Sequence, residues 1–193
     1  MAQGTKYKVA FRRRREGKTN YAARIKLVDH DKPRLVVRLS NSYVNVQIIM
    51  YKKDGDETIV SANSKELIDL GWLGGLKNTS AAYLTAYLCG KKAIANDIDN
   101  AILDVGLKSP IKGSKIFAAL KGAIDAGLEI PHGESVLPSD DRITGEHIAN
   151  YAESLSEDEV KKLFSKYLEK GLQPVDLPKN FDETKNKIDE TGV

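Results

Sequence analysis

RLVVRLSNSYVNVQIIMY, residues 34–51, reads as a β-hairpin, with the polar pair Asn41 and Ser42 forming the two-residue turn between two β-rich runs. That turn fixes the register. Leu39 faces Val44, Val37 faces Val46 and Leu35 faces Ile48, which stacks three aliphatic pairs on one side. The other side receives Ser40 with Tyr43, Arg38 with Asn45, and Val36 with Gln47. One face is core. The opposite face offers a cation, an aromatic ring and amides, groups that contact phosphate, stack on bases or bond base edges. Taken alone, that polar face is equally what any half-buried strand shows to water.

Working toward the C-terminus, Lys52-Lys53-Asp54-Gly55-Asp56 is a turn signal and Thr58–Ala62 a third strand, completing an antiparallel meander. Ser64–Leu70 fits a short helix or an extended segment. The loop at 71–80, GWLGGLKNTS, ends with Asn78 or Thr79 as N-cap of a helix that runs to about Asn96. Ala81, Ala82, Ala86, Cys89 and Gly90 in that helix favour close packing on the sheet. Ala101–Leu107 is a short apolar run expected as an internal strand reached by a crossover, although periodicity alone does not exclude buried helix. A second helix is predicted over Gly113–Ala126, with Ile116, Leu120, Ala123 and Ile124 as its apolar stripe and Gly127 as its terminator. Leu128–Ile130 fits a short last strand.

After Pro131 the composition turns acidic and is punctuated by Gly and Pro, as expected of an extension wrapped over a core. Ser156-Glu157-Asp158-Glu159 is a capping box. It precedes an amphipathic helix carrying Val160, Leu163, Phe164, Tyr167 and Leu168, predicted to end at Gly171. Residues from about Leu177 onward read as poorly anchored. The 193 residues, 41% hydrophobic and 30% charged, suffice for one real core and a smaller appended lobe, not for two full domains. The expected organisation is a basic arm at 1–33, an α/β core domain at 34–130 and an acidic, partly helical extension at 131–193.

A net charge of +3 conceals a steep gradient. Residues 1–34 carry 11 basic and 3 acidic side chains (net +8), residues 35–128 carry 11 and 9 (net +2), and residues 129–193 carry 8 and 15 (net −7). Such a chain is suited to contact a polyanion at its head while the acidic section is kept away. In the arm, Lys6, Lys8, Arg12, Arg13, Arg14, Arg15, Lys18, Arg24, Lys26 and Lys32 are interleaved with Tyr7, Phe11 and Tyr21. Arginine forks bind phosphate bidentately and stack on bases, and tyrosine supplies a stacking face with a polar tip, so the mixture suits RNA. With few aliphatic residues, the arm is expected to order on its partner.

Other chemistries find little support. No apolar run approaches the ~18 residues of a spanning helix, and no apolar block follows the N-terminal charges to act as a secretory signal, so the chain reads as soluble and cytoplasmic. The lone Cys89 forms neither a disulfide framework nor a multi-cysteine metal site. Gly71–Thr79 does not meet the order of a phosphate-binding loop. A two-metal nuclease site needs converging carboxylates, yet Asp104 stands alone in its strand, and His30, His132 and His147 lack ligand spacing. No metal, organic cofactor, small-molecule substrate or catalysis is implied.

RRRREGKTNY at 12–21, followed by DKPRLVVRLSNSYVNVQII at 31–49, resembles the universal family of large-subunit ribosomal protein eighteen, whose eukaryotic counterpart is large-subunit protein five. The resemblance continues through GWLGGLKNTSAAYLTAYLCGKKA at 71–93, AILDVGLKSPIKGSKIFAALKGAIDAGLEIPH at 101–132 and the acidic extension. The form of the arm and the extension look archaeal or eukaryotic, and the short C-terminus fits the archaeal branch. The resemblance implies an α/β fold of mixed sheet and packed helices, in a ribonuclease H-like layout without catalytic residues. It implies binding of 5S ribosomal RNA and its attachment to 23S ribosomal RNA in the central protuberance, beside neighbouring large-subunit proteins. Carried over by motif, the RNA contacts are Arg12 to Arg15, Lys18, Tyr21 and Arg24 in the arm, then Arg34, Arg38, Asn41, Ser42, Tyr43, Asn45 and Gln47 around the hairpin. Trp72, Lys77 and Asn78 are weaker candidates, with Trp72 equally readable as a core cap. Two rival functions stay open at this level: an RNA-processing enzyme, for which the carboxylate cluster is missing, and a protein-interaction scaffold built on the acidic extension.

Overall fold

The computed structural model of the chain describes residues 4–28 and 32–191. Two short helices, α1 (Arg12–Arg15) and α2 (Tyr21–Leu27), lead into a meander of β1 (Arg34–Leu39), β2 (Val44–Met50) and β3 (Glu57–Asn63). The hairpin register is the one the alternation predicts: Leu39 opposite Val44, Val37 opposite Val46, Leu35 opposite Ile48. Ser40 organises the turn. Its amide donates to the Tyr43 carbonyl at 2.9 Å, and its Oγ accepts from the Tyr43 amide at 2.8 Å.

A 3-10 turn at Glu66–Ile68 resolves the ambiguous stretch after β3. Helix α3 (Thr79–Ile94) then starts at Asn78, whose Oδ1 accepts from the Ala81 amide at 2.7 Å, and crosses to β4 (Ile102–Asp104). That strand lies parallel to β1, giving a mixed sheet in the order β3-β2-β1-β4. The meander, crossover helix and parallel strand realise the expected α/β layout. β4 is shorter than the apolar run 101–107 suggested, because Gly106 turns left-handed (φ +66°) and Leu107 swings out to solvent. Leu128–Ile130 contributes only an isolated parallel bridge, Asn100 to Glu129.

Small residues let the helices approach closely. Cys89 on α3 faces the sheet, its Sγ 3.7 Å from the Val46 carbonyl oxygen. Gly90 instead faces α4 (Lys115–Asp125), where a Cβ would sit 2.6 Å from Ala126 Cβ. On α4, any Cβ at Gly122 would run into the Tyr83 carbonyl. The small-residue patch of α3 thus serves both a sheet and a helix, not the sheet alone.

The segment after Pro131 departs most from expectation. It forms α5 (Asp140–Thr144), α6 (Glu146–Glu153), α7 (Glu157–Leu163), α8 (Ser165–Leu168) and α9 (Leu177–Glu190). The capping box at Ser156 and Glu159 is present. The single helix predicted beyond it breaks at Phe164, whose ring packs edge-on against both Tyr151 (6.5 Å) and Tyr167 (5.8 Å).

The stretch from Leu177 is anchored, not loose: α9 buries Leu177, Phe181 and Ile188 in the same core that contains the sheet and α3. Phe181 lies 5.5 Å from the Tyr83 ring, and Asp189 accepts from the Tyr87 hydroxyl at 2.7 Å. Asn180 ties α9 to the glycine-rich loop before α3, accepting from the Leu73 amide (3.1 Å) and donating to the Gly71 carbonyl (3.0 Å). A 14-residue segment of mostly polar composition shows its anchoring only when its partner surface exists. No helix among the described residues is long and apolar enough to cross a membrane.

Truncating Phe181 to Ala removes a ring that is 3% exposed, so a loss of about 3–5 kcal/mol is expected in urea or thermal denaturation. A loose tail would give no measurable change.

Candidate nucleic-acid interface

The arm presents its cations to water. α1 consists of Arg12, Arg13, Arg14 and Arg15, and neither α1 nor α2 buries a residue. Lys6, Lys8, Lys18 and Lys26 are exposed as well, and Tyr7 and Phe11 are 53% and 73% exposed. Local contacts stiffen the segment. Arg13 Nε donates to Thr19 Oγ1 at 2.9 Å, Glu16 pairs with Lys18 at 2.9 Å, and Phe11 and Tyr21 meet at 5.2 Å between ring centroids. Asn20 caps α2 by accepting from the Ala23 amide. Tyr21 is therefore half-buried against Phe11, whereas Tyr7 keeps an open face.

The arm runs over the sheet face opposite the core and leaves a groove of about 350 Å³ between them. Arg13, Lys18 and Arg24 line it from the arm, Arg34, Arg38 and Gln47 from the sheet, and Lys108 from the loop after β4. Residues far apart in the chain thus form one cationic surface. Lys108 had no signal of its own in the sequence; the parallel placement of β4 brings it there.

Two carboxylates organise this face. Val36 on β1 is in register with Asp104 on β4, so Asp104 sits between the side chains at the neighbouring outward positions, Arg34 and Arg38. Arg34 Nη1 donates to Asp104 Oδ2 at 2.8 Å, Arg38 Nη2 to Asp104 Oδ1 at 2.8 Å, and the Gly106 amide to Oδ1 at 2.8 Å. Asp56 repeats the arrangement, with Oδ2 accepting from Arg24 at 2.6 Å and from Arg34 at 2.7 Å. The result is a chain of five charges: Arg24, Asp56, Arg34, Asp104, Arg38.

Burial pushes the Asp104 carboxyl up, but the hydrogen bond and charge of Arg38, the Gly106 amide and the charge of Arg34 outweigh it and hold the group below the usual carboxylate range. Asp104 is therefore an ionised clamp for arginines. Among the described residues no three His, Cys, Asp or Glu side chains gather where they could hold a metal ion. His30 lies outside the described residues; the His132 and His147 ring nitrogens face the backbone oxygens of Ile130 and Asp141. Burial raises the Cys89 thiol to about 12, which keeps it protonated at neutral pH and suits a core residue.

The structure sorts the remaining site residues. Asn41, Ser42 and Tyr43 stand exposed at the hairpin tip. Asn45 is half-buried, and its Oδ1 accepts from Asn63 Nδ2. Arg38 keeps 44% of its side chain exposed, whereas Arg34 is only 3% exposed with both terminal nitrogens on carboxylates and its Nε buried without a partner, so it acts through its neighbours. Trp72 takes the core-cap alternative, which corrects its place among the RNA contacts. It is 1% exposed, with Nε1 donating to the Gly75 carbonyl at 3.2 Å, and no ring face remains for a base. Lys77 and Asn78, both half-buried, are placed with it ahead of α3 and do not line the groove.

The pairing of Asp104 predicts a pH signature. Its folded pKa lies below the unfolded value of about 3.9, so its contribution is complete above that value and is lost as pH falls through the folded pKa. Asp104→Ala takes from buried Arg34 one of its two carboxylates, leaving Asp56, and is expected to lose about 1.5–3 kcal/mol at pH 7. The deficit relative to wild type, followed by denaturation from pH 7 to pH 2, should shrink as the acid limb is crossed.

A family model described as ribosomal large subunit proteins 60S L5 and 50S L18 matches residues 5–100 and 95–133. The large ribosomal subunit protein uL18 of Methanobrevibacter smithii is 70% identical over 190 residues, covering 98% of each chain. That of Methanothermobacter thermautotrophicus is 64% identical, covering 98% of this chain and 99% of its own. The Aeropyrum pernix protein of the same name is 51% identical over 194 residues, covering 98% of this chain and 91% of its own. Near-complete alignment at these identities leaves one conclusion: the chain belongs to the family of large-subunit ribosomal proteins 60S L5 and 50S L18, structural components and not enzymes.

Proposed function

We propose that the chain is a structural constituent of the large ribosomal subunit in the cytoplasm, where it binds 5S ribosomal RNA and helps attach it to 23S ribosomal RNA in the central protuberance, beside neighbouring large-subunit proteins. One observation carries the reading: an arm whose arginine run and Tyr7 and Phe11 rings are open to water runs along a second cationic surface on the sheet. Phosphates are taken by Arg12 to Arg15 with Lys6, Lys8, Lys18 and Lys26, through charge and bidentate forks. Tyr7, Tyr43 and the exposed amide of Asn41 supply stacking and base-edge contacts beside them. Arg38, Gln47 and Lys108 extend the surface into the groove.

The three parts assigned from composition keep their roles in this proposal. The arm at 1–33 captures RNA, the core at 34–130 carries it, and the extension at 131–193 stays on the side away from it. Support for that separation comes from the packing: α9 lies on α3, which covers the inner face of the sheet, while the arm runs over the outer face.

The test is a binding titration with 5S ribosomal RNA over a range of salt. If the arm neutralises about five phosphates, log affinity falls with log salt at a slope of roughly −3 to −5, or about 60- to 1,000-fold between 50 and 200 mM. Deleting residues 1–24 should leave the body folded, because α1 and α2 bury nothing, and should both weaken binding and flatten the slope. A salt-independent affinity, or full binding by the truncated chain, contradicts the proposal.

A further inference from the structure

We infer that Asp56, in the turn between β2 and β3, is a positioning residue that latches the arm onto the body. One oxygen of its carboxylate accepts from Arg24 of α2 at 2.6 Å and from Arg34 of β1 at 2.7 Å. The body end of this bridge is fixed. Arg34 is 3% exposed, and its other terminal nitrogen is held by Asp104 at 2.8 Å, so Asp56 is aimed by a side chain with no freedom to follow the arm.

The arm end depends on it. Among the described residues, Arg24 to Asp56 is the only ion pair or hydrogen bond between residues 4–28 and the rest of the chain. No residue of 4–28 is buried, and apolar docking is limited to half-buried contacts such as Leu27, which lines the groove with Val36 and Ile49. α2 is seven residues long, well below the ~12–15 that an isolated helix needs to persist in water. Asn20 caps α2 within the arm, and the shared carboxylate is the polar tie that holds it in place over the sheet, with Arg13 and Lys18 facing Arg38 and Lys108 across the groove.

The consequence for RNA rests on the function proposed above; the latch itself does not. Charge alone says that removing an acid from a cationic surface strengthens polyanion binding. A latch says the reverse, because an undocked arm must be ordered at the moment of binding. The two effects have opposite signs, so one substitution separates them.

The experiment uses the full chain with Asp56→Asn, Asp56→Glu, Arg24→Gln and the double variant Arg24→Gln/Asp56→Asn. Backbone 15N order parameters of residues 21–27 are measured without RNA, and affinity for 5S ribosomal RNA is measured at fixed salt. Asp56→Asn should bring the order parameters of α2 from near 0.8 to below about 0.6, with β1 and β2 unchanged. It should weaken RNA binding about three- to tenfold. Asp56→Glu should restore part of both. Arg24→Gln should release α2 equally, and the double variant should release it no further. Unchanged order parameters in Asp56→Asn and Arg24→Gln, or tighter RNA binding by Asp56→Asn, would overturn the latch. If Asp56→Asn disturbs the body, Arg24→Gln, which touches only the arm end, decides the question. Should the wild-type chain not bind 5S RNA at all, the proposed function falls, while the order parameters alone still uphold or overturn the docking role.

Discussion

A carboxylate buried at the end of a three-residue strand governs the outer face of this molecule. Asp104 is 6% exposed, and an ionised group at that depth persists only if its partners hold it closely. Arg34 and Arg38 do so because the parallel register of β4 on β1 sets Asp104 opposite Val36, between them. The register in turn requires the crossover through α3, and α3 fits only because Gly90 and Gly122 bring it and α4 into backbone contact. Sheet order, helix packing and the orientation of the outer arginines are therefore one linked arrangement.

That arrangement gives the arginines different work. Arg34 is consumed in holding two carboxylates, Arg38 is steered but still open to solvent, and Arg24 ties the arm to the sheet. The cations of α1 engage only within the arm, Arg12 with Glu16 at 3.8 Å and Arg13 with Thr19 at 2.9 Å, and all four stay exposed, so water screens them until a polyanion arrives. Carboxylates inside a cationic surface look counterproductive by net charge. Their effect is to set directions: a guanidinium held by an acid on one edge presents its other edge to a ligand at a defined angle.

The acidic extension is part of the same logic. Its last helix uses Asn180 and Thr184 as well as Leu177, Phe181 and Ile188 on its buried side, so its contact face is chemically mixed. The Tyr87 hydroxyl reaches Asp189 at 2.7 Å, Phe181 packs 5.5 Å from the Tyr83 ring, and Lys185 lies over the rings of both tyrosines. These contacts bind the extension to α3, on the side of the sheet away from the arm. Negative charge is thereby held off the cationic surface by the thickness of the core.

The sequence by itself determined what is local: the hairpin and its register, from strict alternation about Asn41 and Ser42; the start of α3 to within one residue, at Asn78 or Thr79; the capping box at Ser156; and the charge gradient that marks the arm. Each is written in residues close along the chain, where turn chemistry, side-chain period and capping act without distant partners. The tertiary structure decided the rest. Whether an arginine at 24, 34 or 38 is free or paired depends on Asp56 and Asp104, up to 70 residues away. Burial of Trp72 depends on how the loop before α3 folds back on itself and is tied to α9. The anchoring of α9 depends on a surface of α3 that exists only once the sheet has formed. A side chain's type is fixed by the sequence, but its partner is fixed by the fold.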